Sequence, residues 1–222
     1  MSKLCIKIAN WLEKLSISIR KSVIQKKHKK FLKKYGLKEA CEDVPRSDGY
    51  NPYQCTNLYM LDELLKRGII APDKKLLDVG CGSGILLSYL YTKGITKLSG
   101  VEIDEEIAKI ACNNIKKVAP QDNIEIKIAD IIDCEIENDV EIIYLFNPFQ
   151  RKEAYEALIS KIEDSASRAP REITVVLLCP SAASTDAFSS ASSLSFVESI
   201  TSPYQFCNKC VRYSIYKTER TV

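Results

Sequence analysis

Leu76-Leu77-Asp78-Val79-Gly80-Cys81-Gly82-Ser83-Gly84 reads as a buried strand that breaks into a glycine turn. Leu76, Leu77 and Val79 are apolar strand formers, and Asp78 sits where the strand should end. Gly80, Gly82 and Gly84 admit backbone conformations and close approaches that a side chain would block. Ile85 to Leu90 then has the apolar density of a helix packed on a sheet. Strand, turn and helix form the opening unit of a nucleotide-binding α/β fold. A second strand, Lys97 to Val101, ends at Glu102 about twenty residues after the glycines, where an acid can accept from a ribose hydroxyl pair.

Downstream of this unit the pattern alternates. Glu105 to Val118 has one apolar helical face, formed by Ile107, Ile110, Ala111 and Ile115. Ile124 to Ile128 is a third strand, leading to Asp130 with Ile131. Val140 to Phe146 is a fourth, apolar except for Glu141, and it stops at Asn147-Pro148. A helix carrying Ala154, Leu158, Ile159 and Ile162 follows, then a fifth strand from Ile173 to Leu178. Ser181 to Ser195 reads as a variable loop or short helix. Phe196 to Ile200 and Val211 to Tyr216 look like a closing antiparallel hairpin. Asp78, Glu102, Asp130 and Asn147 thus fall at the ends of four successive strands, where open α/β sheets bind ligands.

The turn spacing is Gly-x-Gly-x-Gly, preceded by an acid, and not the Gly-x-Gly-x-x-Gly of dinucleotide enzymes. Together with Gly100-Val101-Glu102-Ile103-Asp104, Asp130 and Asn147-Pro148-Phe149, it resembles the cofactor site of class I S-adenosylmethionine-dependent methyltransferases, over about residues 48 to 217. The resemblance implies an α/β, Rossmann-like, seven-stranded mixed sheet with helices on both faces. It also implies S-adenosylmethionine as cofactor, held by Asp78, Gly80, Cys81, Gly82, Gly84, Glu102, Ile103, Asp130, Ile131 and Asn147. Asn147, Pro148 and Phe149 are the implied catalytic turn. This turn is similar to the Asn-Pro-Pro-aromatic turn of amino-methylating enzymes but lacks one proline. In those enzymes the Asn oxygen and a backbone carbonyl accept the target amine's protons, and the aromatic face holds the target. A segment before the first strand folds over the site in this family, which makes Tyr50, Tyr53 and Thr56 candidate lid and substrate residues. Bacterial methyltransferases ending the fourth strand in Phe-Asn-Pro-Phe share the pattern of Phe146 to Phe149 and an upstream Tyr-Gly, here Tyr35-Gly36. More distantly, the organisation resembles non-SET lysine methyltransferases. Many such relatives carry Gly-Lys-Gly-Arg where this chain has Gly82-Ser83-Gly84-Ile85, so no family substrate carries over.

The expected activity is methyl transfer to a nitrogen of a protein lysine, another amine or a small metabolite. Two alternatives are a nicotinamide-dependent oxidoreductase and a non-catalytic cofactor-binding module. The first lacks the glycine spacing and an evident proton donor. A dead module should have lost Asp78 or Glu102, and both are present.

The chain has 222 residues, 45% of them hydrophobic, enough for one α/β domain with an appendage. Its net charge of +3 conceals an asymmetry: residues 1–38 carry +11 and the remainder −8. Three regions are expected: a basic amphipathic arm (1–38), a lid and pre-strand helix (39–75), and the catalytic domain (76–222). In the arm, Leu4, Ile8, Trp11, Leu12, Leu15, Ile19 and Val23 form one stripe, and Lys26-Lys27-His28-Lys29-Lys30 a basic block. The stripe can dock on the domain as a cap, or the arm can engage a membrane surface or a partner protein. No aromatic residue interleaves the lysine block to stack on bases, which argues against nucleic acid. The single histidine, His28, lies in this arm, so histidine acid–base chemistry is not expected in the glycine-turn domain. No metal is expected either. Cys207-Asn208-Lys209-Cys210 is the one C-x-x-C pair among nine cysteines, and it has no second pair at zinc-ligand spacing. Scattered cysteines and the lack of a signal-peptide core point to a cytoplasmic protein, peripheral to the membrane if the arm binds there.

Overall fold

A computed structural model describes residues 3–40, 49–56, 58–121, 124–201 and 212–218. The Cys207/Cys210 pair and the turn formers Pro45 and Asp48 lie outside the described residues. Seven strands form one sheet: β1 (Lys75–Val79), β2 (Leu98–Glu102), β3 (Glu125–Ile128), β4 (Val140–Leu145), β5 (Thr174–Leu178), β6 (Leu194–Thr201) and β7 (Arg212–Thr218). Their order is β3-β2-β1-β4-β5-β7-β6, with β7 antiparallel to both neighbours and the rest parallel. The expected seven-stranded mixed sheet is therefore present. Chain order reverses between β1 and β4, so the crevice for a ligand opens beyond Val79 and Leu145.

Helices cover both faces because the parallel strands are apolar on both. Leu76, Ile142, Tyr144 and Val176 point into one core, shared with α2 (Leu58–Lys66), α3 (Ile85–Tyr91) and the Ile115 face of α4 (Glu105–Val118). Leu77, Ile143, Leu145, Val175 and Leu177 alternate into the other, against α5 (Lys152–Arg168) and α6 (Ala182–Ser190). The Ser/Ala-rich stretch is thus a helix, started by the Ser181 side chain accepting from the Ser184 N–H. On α4, Asp104 caps the start by accepting from the Ile107 N–H. Glu105 and Glu106 in the first turn and Lys116 and Lys117 in the last complement the helix dipole.

The arm is a single helix, α1 (Lys3–Tyr35), ended by Gly36 in the left-handed region with the Leu37 N–H donating to the Leu32 carbonyl. Among its described side chains, docking begins at Ile24. Ile24 is buried, and Phe31, Leu32 and Tyr35 pack on the first core, with Phe31 edge-on to Tyr89 at 5.3 Å. Ile8, Trp11, Leu12, Leu15, Ile19 and Val23 are 43–61% exposed, so these positions of the stripe do not dock on the domain. Among the described residues, no helix is long and apolar enough to cross a membrane.

Candidate active site

Two small abutting cavities, of about 40 and 30 Å³, lie beyond the carboxyl ends of β1 to β4 and share Gly80 and Pro148 as a common wall. The first is lined by Asp78, Cys81, Asn147 and the segment 51–56. The second is lined by Glu102, Ile103, Asp130, Ile131, Tyr50 and Phe149. The polar residues that the sequence puts at strand ends are therefore brought together, divided between two subsites.

The glycine turn shapes both. Gly82 has φ +55°, and a Cβ there would stand 2.3 Å from the Tyr53 ring, so the open space of the turn is filled by Tyr53. The Tyr53 hydroxyl lies 2.6 Å from Ser83 Oγ, fixing this segment over the turn. Glu102, 1% exposed, accepts from the Gly82 N–H at 2.8 Å and from the Asp104 N–H at 3.0 Å. These two bonds hold the turn in place. Asp78 is buried, and no described residue donates a hydrogen bond to it. Burial, and then the charge of Glu102, push its carboxyl up to about 8.

In the second cavity, Asp130 accepts from the Ile132 N–H at 3.0 Å and from the Tyr50 hydroxyl. Burial first, and then that bond, raise the Tyr50 phenol above its ordinary range. Asp133, a second acid three residues on, is exposed and lines neither cavity.

Asn147 adopts φ +46°, a left-handed conformation in a non-glycine residue at the mouth of the first cavity. Its Oδ1 accepts from the Tyr155 hydroxyl at 2.9 Å, which leaves one lone pair. The turn's carbonyls are already engaged. Asn51 Nδ2 donates to the Asn147 and Phe149 carbonyls at 2.7 and 3.0 Å, and the Asn51 N–H donates to that of Pro148 at 3.0 Å. The Asn147 and Pro148 carbonyls each keep a second lone pair, whereas the Phe149 carbonyl also lies 3.1 Å from the Tyr155 hydroxyl. Phe149 is 1% exposed and packs edge-on against Tyr50 and Tyr155. It walls the second cavity and is absent from the wall of the first, so it does not stand opposite the Asn147 side chain. Thr56 is buried in the wall of the first cavity beside Cys55.

Sequence reasoning missed Asn51 and Tyr155. Asn51 reads as half of an Asn-Pro turn, and Tyr155 as one more apolar position on α5, spaced i, i+3 from Leu158. It also missed Asn114 on α4, whose Nδ2 donates to the Ser83 and Lys38 carbonyls at 2.8 and 2.7 Å, and whose Oδ1 accepts from the Lys38 N–H. His28 does not stay remote: its Nε2 lies 3.9 Å from the Cys55 sulfur.

The sheet order and its covering helices are a Rossmann-like α/β fold, shared with solved methyltransferase structures. Residues 76–167 match the family model described as a methyltransferase domain. Over 74 residues the chain is 38% identical to an rRNA N(6)-adenosine-methyltransferase of Caenorhabditis elegans, covering 33% of this chain and 35% of that one. It is 33% identical over 105 residues to the ribosomal protein L11 methyltransferase of Dictyoglomus thermophilum, covering 45% and 33% respectively. The chain thus spans about a third of the length of these relatives. The magnesium protoporphyrin IX methyltransferase of Synechocystis PCC 6803 with bound S-adenosylmethionine superposes with a TM-score of 0.56. That match has 18% identity and covers 73% of this chain and 78% of the other.

Proposed function

We propose that this chain is an S-adenosylmethionine-dependent methyltransferase acting on a nitrogen acceptor. The observation that carries this reading is the buried Asp78 carboxyl, to which no described residue donates a hydrogen bond, facing the same cavity as the strained Asn147-Pro148 turn. The residues present fit the cofactor. Asp78 suits a ligand cation, because an ammonium beside it offsets the cost of ionising a carboxyl there. Glu102 and Asp130 put two carboxylates in the wall of the adjoining cavity, beyond the ends of β2 and β3, where open α/β sheets bind ligands. A methyl donor of the sulfonium type supplies a methyl group to an in-line nucleophile, which needs alignment more than proton transfer.

The chain's own contribution is orientation. Asn147 Oδ1 keeps one lone pair for an acceptor N–H, and Tyr155 and Asn51 lock the turn that aims it. At about 40 Å³ the first cavity is far below the several hundred Å³ of a typical ligand site, so Tyr53 and its segment must swing off Gly82 to admit a ligand. The match of residues 76–167 to a methyltransferase domain sets the nicotinamide reading aside.

The acceptor we favour belongs to a macromolecule, since the relatives named above act on rRNA and on a ribosomal protein. These relatives weaken the argument against nucleic acid that rests on the lysine block. Methyl-labelling of a lysate with labelled S-adenosylmethionine, followed by nuclease or protease digestion and mass spectrometry, tests the reading. Label on nitrogen is expected. Label on oxygen or carbon refutes the acceptor class, and absence of any cofactor binding by calorimetry refutes the activity.

A further inference from the structure

We propose that His28, Glu39 and Cys55 form a zinc-type metal site that fastens the arm helix to the segment covering the cavity. The three donors come from distant parts of the sequence: the last third of α1, the stretch after Gly36, and the covering segment. Their ligand atoms nonetheless lie within 4.8 Å of one another. His28 Nε2 is 2.9 Å from Glu39 Oε1 and 3.9 Å from Cys55 Sγ. A tetrahedral zinc with nitrogen, oxygen and sulfur ligands at ~2.0–2.3 Å has donor–donor edges of about 3.3–3.8 Å, so small shifts would seat the ion. Imidazole, carboxylate and thiolate together suit a borderline-soft divalent cation, and a hard one poorly.

Each donor is also held in place by the surrounding structure. Phe31 and Tyr35 seat α1 on the core, which fixes His28. The two hydrogen bonds between Lys38 and the buried Asn114 side chain anchor the backbone next to Glu39. The Tyr53–Ser83 bond and buried Thr56 bracket Cys55. Ligands positioned by their supports in this way are what a metal site requires. Among the described residues no fourth His, Cys, Asp or Glu joins the cluster. Cys55 also lines the first cavity, so the ion would clamp the cover where it borders the ligand.

The test uses the full chain, stripped of metal and titrated with Co²⁺ and then Zn²⁺ alone, independent of any methyl donor. Wild type should take up one equivalent of Co²⁺ with a thiolate-to-metal charge-transfer band, and Zn²⁺ should displace it and raise Tm. The Cys207→Ser/Cys210→Ser double variant should keep the band and the Tm shift. Cys55→Ser should lose the band. His28→Gln, which preserves a hydrogen bond to Glu39, should bind on the order of a hundredfold more weakly, at least the loss typical of a supporting residue. A band that follows Cys207 and Cys210, wild-type affinity in His28→Gln, or no uptake at all overturns the proposal. Should Cys55→Ser fail to fold, the His28→Gln titration alone decides.

Discussion

The Asp78 carboxyl makes the ligand-free protein less stable as pH rises, and the size of the effect follows from its burial. Its folded value of about 8 stands above the ordinary aspartate value of 3.8, so between those limits the folded state holds a proton that the unfolded state has released. Stability is fully present below about pH 4, falls through the window, and levels off above about pH 8. The slope is the linkage constant of about 1.4 kcal/mol per pH unit, so the loss between pH 5 and pH 7 is on the order of 3 kcal/mol. Asp78→Asn mimics the neutral acid and has no proton to lose, so subtracting its curve removes the contributions of every other group. In a domain of this size, a loss on the order of 3 kcal/mol moves Tm by about 5–10 °C. Wild type should therefore lose about that much against Asp78→Asn when thermal melts at pH 5 and pH 7 are compared. Ligand binding supplies a second arm. At pH 7 a carboxyl titrating at about 8 is roughly nine-tenths protonated, so pairing it with a cationic ligand should release most of one proton. A ligand α-amine titrating near 8 takes back about 0.1 proton. Calorimetry of S-adenosylmethionine binding in buffers of different ionisation enthalpy measures this release. A Tm difference between wild type and Asp78→Asn that stays constant from pH 5 to pH 7 would refute the reasoning, as would equal proton release by the two proteins.

Asn147→Ala should leave S-adenosylmethionine affinity within a few fold and lower turnover by roughly a hundredfold, the scale of lost alignment; single-turnover kinetics separate the two. Tyr155→Phe removes the hydroxyl that reaches both Asn147 Oδ1 and the Phe149 carbonyl but leaves the Asn147 side chain, so it should lower kcat by less than Asn147→Ala with KM little changed. Gly82→Ala drives a methyl into the Tyr53 ring and strains a left-handed residue, so the cover should open; faster amide exchange over residues 51–56 reads it, and unchanged exchange counts against the contact. Arg171 donates to the carbonyls of Glu137, Val140, Ser165 and Ala169, which ties the end of α5 to β4. Arg171→Ala leaves several of these carbonyls unpaired and should cost about 2–4 kcal/mol in chemical denaturation.

The sheet, its strand ends and the glycine turn were readable along the chain because each depends on neighbours in sequence. Strand periodicity, the apolar faces of α4 and α5, and the stop at Asn147-Pro148 are local patterns, and so is the arrival of Glu102 about twenty residues after the turn. Even the closing hairpin follows from two β-rich runs, now seen as β6 and β7. What local pattern could not carry is which side chain meets which across the fold. Asn51 reaches Asn147 across 96 residues and Tyr50 reaches Asp130 across 80, so the engaged carbonyls and the second cavity are products of docking the covering segment. The same holds for Phe149, whose place in the wall of the second cavity depends on Tyr50 and Tyr155 packing around it. The clearest case is His28. By sequence it belongs to a basic arm and is excluded from the site, yet the docked end of α1 carries it to Glu39 and Cys55. A helix stripe specifies that a face will be buried or will seek a partner. Only tertiary packing decides which part of it is buried, and here Ile8, Trp11, Leu12, Leu15, Ile19 and Val23 stay open while Ile24, Phe31 and Leu32 close onto the core.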